Sequence, residues 1–204
     1  MRLALLGATG AVGGYFLSKS LAAGHEVRAL VRTQSKLADR PGLTGIKGDA
    51  TEAGDIRELI VGCDAVVSCL GNVKGHLIME RAAEAMLSAA RARTPMPKCV
   101  FITSIGCGGS SWLIKQILSM IGGRAGFADY ERADACFSRE TDVPCVLVRP
   151  AALRERPGNG KYRAFRGDGT FARPIAKEDV AAFLLAAIAS DRWDGGGLQL
   201  AGRR

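Results

Sequence analysis

The sequence predicts an α/β protein with one parallel β-sheet that helices cover on both faces, a doubly wound arrangement. Two observations predict this class. Short apolar segments alternate with longer amphipathic segments along the whole chain, which is typical of repeated strand–helix units. The central residues of the short segments form unbroken apolar runs, as expected of strands that are buried on both faces. The 204 residues suit a single domain, 1–204, and no linker divides them.

Short apolar segments are expected to form the strands. In chain order they are residues 2–6, 26–31, 44–48, 65–69, 98–103, 144–149 and 198–201. Helices are expected at residues 11–23, 55–61, 77–92, 129–140 and 178–189. The first helix carries Val12, Phe16 and Leu17 at helical spacing, and Gly24 is in position to cap its C-terminus. The fourth would begin at Asp129, because a negative charge suits a helix N-terminus.

Two further segments fit this strand–helix pattern poorly. Residues 106–128 contain closely spaced apolar side chains between glycine pairs, and residues 151–174 are rich in glycine, arginine and aromatic residues. Each follows an expected strand, and ligands of open α/β sheets lie at the carboxyl ends of the strands. We therefore expect both segments to lie on the substrate side of the protein.

The composition, 48% hydrophobic and 24% charged residues, is that of a globular protein. The longest strongly apolar stretch, 180–189, is about half the length that a transmembrane helix requires, so we expect no transmembrane segment. The apolar start ends at Gly7, too early for a secretory signal. The six cysteines lack metal-ligand spacing. We therefore expect no metal site, and buried free thiols in a cytoplasmic protein.

The net charge of +8 suits an anionic partner. The arginines recur singly and form no basic block, and no aromatic and basic motif of a known nucleic-acid reader is present. Nucleic-acid binding is therefore not expected. A small anionic molecule and an ordinary solvated surface both account for this charge.

A glycine-rich loop connects the first expected strand to the first expected helix. Its sequence is Gly7-Ala8-Thr9-Gly10-Ala11-Val12-Gly13. Glycines at this spacing allow a tight turn and let the pyrophosphate of a dinucleotide approach the main-chain amides, and the helix N-terminus stabilises the phosphate charge. The sequence therefore predicts a Rossmann-like fold that binds a dinucleotide through this loop.

The end of the second strand indicates which dinucleotide is bound. An acidic residue about 20 positions beyond the loop binds the adenosine ribose of NAD, whereas this chain has Arg32 at the strand end and no carboxylate before Asp39. Arg32, helped by Lys36, can neutralise the 2′-phosphate of NADP. We therefore expect NADP(H) to be preferred over NAD(H). The alternative is that Arg32 points into solvent.

Segments spread over most of the chain resemble one protein family. They are residues 7–13, Val31-Arg32 with Lys36, Gly48-Asp49-Ala50, residues 64–71, Phe101-Ile102-Thr103-Ser104, Val148-Arg149-Pro150 and residues 175–181. In this order they resemble the atypical short-chain dehydrogenase/reductase superfamily, and within it the NmrA-like NAD(P)-binding group with its biliverdin-reductase and flavin-reductase members. The resemblance implies a Rossmann-like domain with a nicotinamide cofactor.

The resemblance also implies roles for particular residues. Asp49 and Ala50 would contact adenine. Leu70 and Gly71 would lie along the adenosine ribose. The nicotinamide would be surrounded by Thr103, Ser104 and Pro150. All of them lie at the carboxyl ends of expected strands, where a cofactor of this fold binds. Two structural alternatives stay open, with Asp49 as a turn residue and Pro150 as a strand terminator.

Tyr130 and Ser104 are the candidates for chemistry. Short-chain dehydrogenases typically place a lysine four residues after a tyrosine so that its charge lowers the pKa of the phenol, but here Asp134 holds that position. A carboxylate there predicts a tyrosine that is harder to ionise. Tyr130 is then either a hydrogen-bond donor or a packing residue, and Ser104 is expected beside nicotinamide and substrate, or as a turn cap.

Reduction of a flavin needs mainly a cofactor and an acceptor stacked at reacting distance. We therefore expect an NADPH-dependent oxidoreductase that transfers a hydride to a small conjugated acceptor, such as a flavin, quinone or tetrapyrrole-like compound. The alternative is a non-catalytic NADP(H)-binding regulatory or scaffold protein of the NmrA-like type. Residues 110–123 could then bind a partner protein, and both a monomer and a dimer are compatible with the sequence.

Overall fold

The computed structural model describes residues 1–33, 37–72, 77–110, 112–167 and 172–203. Its strands are β1 (Arg2–Leu6), β2 (Glu26–Val31), β3 (Leu43–Lys47), β4 (Ala65–Ser68), β5 (Lys98–Ile102), β6 (Cys145–Pro150), β7 (Leu153–Arg154), β8 (Tyr162–Phe165), β9 (Ile175–Ala176) and β10 (Gly197–Gly202). Its helices are α1 (Gly13–Ala22), α2 (Ala53–Leu59), α3 (Met79–Arg91), α4 (Trp112–Gly122), α5 (Arg124–Ser138) and α6 (Lys177–Ile188), with a 3-10 turn at Asp191–Trp193.

The main sheet has eight strands in the order β3-β2-β1-β4-β5-β6-β10-β8. Every neighbouring pair is parallel except β10 and β8. The chain moves outward from β1 through β2 to β3 and then returns to β4 on the other side of β1, so the strand order reverses between β1 and β4. Such a reversal opens a crevice at the carboxyl ends of the two strands.

Helices cover both faces of the sheet, which confirms the predicted doubly wound α/β class. On one face Phe16 of α1 and Phe183 of α6 pack with Leu5 of β1. On the other face Met86 of α3 and Phe137 of α5 belong to the second buried cluster. Successive residues of a strand point to opposite faces, and burial on both sides explains why the strands read as continuous apolar runs.

The fourth predicted helix begins earlier than expected, which corrects the role assigned to Asp129. We expected a start at Asp129, but α5 begins at Arg124, directly after Gly123 with its φ of 80°. The carboxylate of Asp129 instead accepts hydrogen bonds from the N–H groups of Met79 (2.9 Å) and Glu80 (3.2 Å). Asp129 therefore stabilises the N-terminus of α3 rather than that of its own helix.

The two segments that fitted the sequence pattern poorly also contain regular structure. Helix α4 lies within 106–128, and the short strands β7, β8 and β9 lie within or next to 151–174. All six cysteines carry free thiols, and five of them are buried. In the part of the chain that the structure describes, no helix is long and apolar enough to span a membrane.

Candidate functional site

The glycine-rich loop lies at the point where the strand order reverses. Gly7 follows β1 with a φ of +79°, and a Cβ atom there would come within 2.8 Å of the carbonyl oxygen of Cys69, which follows β4. A Cβ atom on Gly13 would overlap the carbonyl oxygen of Gly7, while the N–H of Gly10 donates to that same oxygen at 2.9 Å. The loop thus depends on glycine for its conformation and for its close packing.

A cleft of about 540 Å³ opens beside this loop. Among the residues predicted for cofactor binding, it is lined by Gly7, Thr9, Gly10, Arg32, Asp49, Ala50, Leu70 and Gly71. The fold thus brings together predicted residues from the ends of four different strands. The cleft volume lies within the usual range for small-molecule and cofactor pockets, roughly 300–1,000 Å³.

Other predicted cofactor residues do not line this cleft. Ala11 is exposed, Val12 is buried in the core, and Gly13 supports the loop from the start of α1. Thr103 and Pro150 are buried at the ends of β5 and β6. Lys36 lies outside the described residues. The cleft is also lined by residues that were not predicted to bind the cofactor, namely Leu30, Val31, Thr33, Gly48, Cys69 and Ile78. Val31, Gly48 and Cys69 belong to the segments that carry the family resemblance, whereas Leu30, Thr33 and Ile78 lie outside them.

Asp49 and Arg32 face the same end of the cleft. The Oδ1 atom of Asp49 accepts hydrogen bonds from the N–H and the hydroxyl of Thr51, both at 2.8 Å. The Thr51 N–H lowers the pKa of Asp49 below its ordinary value, and the charges of Arg81 and Arg32 act in the same direction. Asp49 is therefore a turn residue, and its Oδ2 atom has no hydrogen-bond partner within the described ranges. Arg32 is exposed and forms no ion pair with a described carboxylate.

Arg81, on α3, was missed by sequence reasoning. It forms an ion pair with Glu52 at 3.1 Å and contributes to the low pKa of Asp49. Its position could not be read from the sequence, because no strand end or glycine motif marks it. Arg81 does not line the cleft, and its influence on the site is this electrostatic effect on Asp49.

Tyr130 contacts the turn that follows β4. Its hydroxyl oxygen accepts a hydrogen bond from the N–H of Asn72 at 3.2 Å, and it would lie 3.1 Å from a Cβ atom on Gly71. Asn72 in turn donates through its side-chain amide to the carbonyl of Gly126 at 3.1 Å. Tyr130 therefore joins α5 to residues Leu70–Asn72 beside the cleft, and its O–H proton has no acceptor among the described residues.

Burial raises the pKa of Tyr130, with smaller contributions in the same direction from Cys107 and Asp129, and the Asn72 N–H opposes the shift. The sequence predicted a tyrosine that is hard to ionise, and the direction agrees, but the expected cause does not. Asp134 is not among the groups that shift this pKa. Removal from water is the main cause.

Asp134 belongs to a buried polar network beneath the site. Its carboxylate accepts two hydrogen bonds from Arg149, at 2.8 Å from Nε and 2.7 Å from Nη2. It also accepts one from the hydroxyl of Thr103 at 2.9 Å and one from Ser138 at 3.2 Å. The carboxylate that replaces the usual lysine is thus neutralised by an arginine. The Thr103 hydroxyl is directed to this pair.

Ser104 follows β5, and Pro150 ends the neighbouring strand β6. The carbonyl oxygen of Pro150 accepts a hydrogen bond from the N–H of Ile105 at 3.0 Å, and that of Ser104 accepts one from Cys107 at 3.2 Å. Ser104 is half-buried, and its hydroxyl has no hydrogen-bond partner in the described part of the chain. Its side chain is therefore free to bind a ligand.

Helix α4 packs on α5 close to these strand ends. Leu118 and Phe127 fill the space above Gly106, where a Cβ atom would overlap Leu118, and Lys115 pairs with Glu131 at 2.7 Å. Ile117 and Met120 point outward and are 48% and 79% exposed. This helix covers most of the segment 110–123, whose role in binding a partner protein stays a prediction.

Comparison with known proteins supports a dinucleotide site. A family model described as NAD(P)H-binding matches residues 7–191. A divinyl chlorophyllide a 8-vinyl-reductase of Oryza sativa subsp. indica is 27% identical over 220 residues, which is 91% of this chain and 50% of the relative. A 3-beta-hydroxysteroid dehydrogenase of Mycolicibacterium neoaurum is 35% identical over 65 residues, 32% of this chain and 18% of the relative. The chain thus spans half or less of the length of these two relatives.

Solved structures share the fold over nearly the whole chain. The oxidoreductase ylbE of Lactococcus lactis superposes with a TM-score of 0.84 at 16% identity, covering 100% of this chain and 92% of that one. An anaerobilin reductase of Escherichia coli O157:H7 gives a TM-score of 0.80 at 19% identity, covering 99% and 97%. At such low identity these likenesses establish the fold and leave substrates and residue roles to other arguments.

Proposed function

This chain belongs to the NAD(P)H-binding family, and from that premise we propose that it is an NADPH-dependent reductase of small conjugated acceptors. The observation that carries the proposal is the cleft at the reversal of strand order, where a loop that requires glycine meets the exposed cation of Arg32. A pyrophosphate fits beside a loop without side chains at Gly7 and Gly10. The residues present therefore suit a nicotinamide dinucleotide.

The cofactor residues have separate tasks in this proposal. The main-chain amides of residues 7–13 bind the pyrophosphate, helped by the N-terminus of α1. Asp49 accepts a hydrogen bond from adenine through its free Oδ2 atom, and Arg32 binds the ribose 2′-phosphate, with Lys36 as the second cation expected from the sequence. Leu70 and Gly71 lie along the adenosine ribose. Thr103 and Pro150 support the nicotinamide end from the ends of β5 and β6.

When bound, the nicotinamide supplies the hydride. The chain's own residues orient the acceptor and exclude water from it. Ser104, whose hydroxyl has no partner among the described residues, donates a hydrogen bond to the acceptor. Tyr130 holds residues Leu70–Asn72 in place and can donate its phenol proton. The segments 106–128 and 151–174 form the substrate side, because both follow strands that end at this edge of the sheet.

The acceptor class is proposed from the names of similar proteins together with the chemistry of the site. The relative from Oryza sativa is a divinyl chlorophyllide reductase, and one protein of the same fold is an anaerobilin reductase. Both names denote reduction of tetrapyrrole-type compounds. The site lacks the tyrosine–lysine pair that carbonyl chemistry uses, because Asp134 is paired with Arg149. A planar conjugated compound needs no such pair.

We expect the rate of hydride transfer to be independent of pH between about 6 and 9. A phenol is protonated below its pKa, and burial raises the pKa of Tyr130, so its ionisation moves further above this range. The measurement is kcat against pH with an acceptor that does not itself titrate there, for the wild type and for Tyr130→Phe. An inflection in this range that disappears in the variant would show that Tyr130 acts as a base.

Arg32→Gln tests the cofactor preference. Loss of a charged hydrogen bond to the 2′-phosphate should weaken NADPH binding by roughly tenfold to a hundredfold, and NADH binding should change less than threefold because NADH lacks that phosphate. Dissociation constants for both dinucleotides are measured by fluorescence titration. The control is Arg57→Gln, an equally exposed arginine outside the cleft. Equal losses for NADPH and NADH would refute the assignment.

The second candidate function is a non-catalytic NADP(H)-binding regulator. The observation that favours it is the replacement of the usual lysine by Asp134 and its pairing with Arg149. A screen of flavins, quinones and biliverdin for acceptor-dependent oxidation of NADPH distinguishes the two functions. Turnover with any of them supports the reductase. Tight binding of NADPH without turnover, together with NADPH-dependent retention of a partner protein, supports the regulator.

A further inference from the structure

A second concave surface lies at the same edge of the main sheet as the cleft. It has a volume of about 980 Å³ and is lined by four arginines, Arg154, Arg156, Arg173 and Arg203. We call it the arginine basin. It shares no lining residue with the dinucleotide cleft, so the proposed cofactor contacts do not account for it.

Three separate segments build the arginine basin. Arg154 ends β7, which follows β6 closely and pairs with β9, and Arg173 lies just before β9. Arg203 follows the end of β10, where the N–H of Gly202 donates to the carbonyl oxygen of Arg173 at 3.1 Å. Gly202 has no room for a side chain, because a Cβ atom there would come within 2.5 Å of the carbonyl oxygen of Pro174. The backbone that carries the arginines is therefore fixed by strand pairing and close packing.

The positive charge of the basin is not balanced by the described part of the protein. None of the four arginines forms an ion pair with a described carboxylate. Arg156 makes one long hydrogen bond, 3.4 Å from the Pro174 carbonyl. The acidic residue that lines the basin, Glu155, is paired with Lys177. Like charges grouped on one surface repel each other, and a bound anion offsets this repulsion.

The size of the basin is compatible with a small anionic molecule. Its volume of about 980 Å³ lies at the upper end of the usual range for small-molecule pockets, roughly 300–1,000 Å³. Guanidinium groups bind carboxylates and phosphates through paired hydrogen bonds. Arginines from three segments suit a ligand with two or more separated anionic groups.

We propose that the arginine basin binds the carboxylate or phosphate groups of the acceptor. This inference rests on the proposed function and makes it more specific, because it selects acidic conjugated compounds over neutral ones. The basin begins three residues after Pro150, at Leu153, and Pro150 ends β6 beside the predicted nicotinamide position. An acceptor can therefore place its ring system at Ser104 and its anionic groups in the basin.

Pairs of probes that share a ring system and differ in their anionic groups test this inference. FMN is compared with riboflavin, and biliverdin with its dimethyl ester, so that one pair tests a phosphate and the other tests carboxylates. Binding is measured by fluorescence or absorbance titration, without NADPH and again with saturating NADP⁺ to occupy the cleft. The variant is Arg154→Gln/Arg173→Gln. Both arginines are exposed and have no described side-chain partner, so the fold should be unaffected.

In the wild type we expect at least one acidic probe to bind roughly tenfold or more tightly than its neutral partner. The double variant should lose most of that difference and leave the binding of the neutral probe unchanged. Arg139→Gln, combined with Arg57→Gln, removes the same charge from exposed positions outside the basin and should retain the difference.

The inference is overturned if neither acidic probe is preferred, or if the preference survives in the double variant. It is also overturned if the basin arginines prove to bind single-stranded RNA or anionic vesicles more tightly than either acidic probe. Failure of the proposed function has a different outcome. In that case no acceptor would oxidise NADPH, whether or not NADPH binds. The preference for the acidic probe over its neutral partner could still be measured, because probe binding does not depend on turnover.

Discussion

Gly7→Ala is expected to destabilise the protein by about 2 to 5 kcal/mol and to weaken NADPH binding at least tenfold. The methyl group would lie 2.8 Å from the Cys69 carbonyl oxygen, and the backbone φ of +79° is unfavourable for alanine. Relief of this overlap must move β1 and β4 apart, just where the pyrophosphate is proposed to bind. The free energy of unfolding is measured in denaturant, and NADPH affinity by titration.

Gly14→Ala is the matched control for this prediction. Gly14 is the second residue of α1, and a Cβ atom there would meet only the Ala8 carbonyl oxygen, at 3.9 Å. Alanine in a helix is favoured over glycine by roughly 1 kcal/mol, so this variant should be as stable as the wild type or more stable. If both variants behave alike, the close approach of Gly7 to Cys69 has no energetic importance.

Asp134→Ala is expected to destabilise the protein by about 3 to 5 kcal/mol, because it leaves a buried guanidinium without its counter-charge. The side chains of Asp134 and Arg149 are only 2% and 10% exposed. Thr103 and Ser138 lose an acceptor in the same variant. Chemical denaturation measures the loss, and a dinucleotide titration of the folded variant shows whether the site is still formed.

The control for this prediction removes both charges. Asp134→Asn with Arg149→Met keeps an acceptor for the Thr103 hydroxyl and leaves no buried charge. A buried ion pair can often be replaced by neutral groups of similar size at little cost, so the double variant should recover at least half of the stability that Asp134→Ala loses. A double variant less stable than Asp134→Ala would contradict this account.

The fold and the cofactor side of the site could be predicted from the sequence because their signals are local. Gly7, Gly10 and Gly13 mark the loop by their spacing, and the apolar runs mark the strands. The reversal of strand order then brings Gly7, Arg32 and Asp49 to one cleft. The family match confirms the predicted NAD(P)-binding family, and the shared fold confirms the predicted Rossmann-like architecture.

The polar contacts that join distant segments could not be predicted. Asp129 binds the N-terminus of a helix 50 residues away, at Met79, and no local pattern marks such a partner. Arg149 lies in an otherwise apolar strand, and no local pattern indicates that its partner is Asp134. The arginine basin could not be predicted for the same reason. Arg154, Arg173 and Arg203 are well separated in the sequence, and the pairing of β7 with β9 and the position of β10 bring them to one surface.

Our central proposal is that the chain binds NADPH through main-chain amides of residues 7–13 and prefers it to NADH. The proposal rests on the positions of the glycine-rich loop and Arg32. Isothermal titration calorimetry of the wild-type chain with both dinucleotides tests this claim most directly. We predict one site per chain and an affinity for NADPH at least roughly tenfold above that for NADH. No heat from either dinucleotide at millimolar concentration, with folded protein, would contradict the claim.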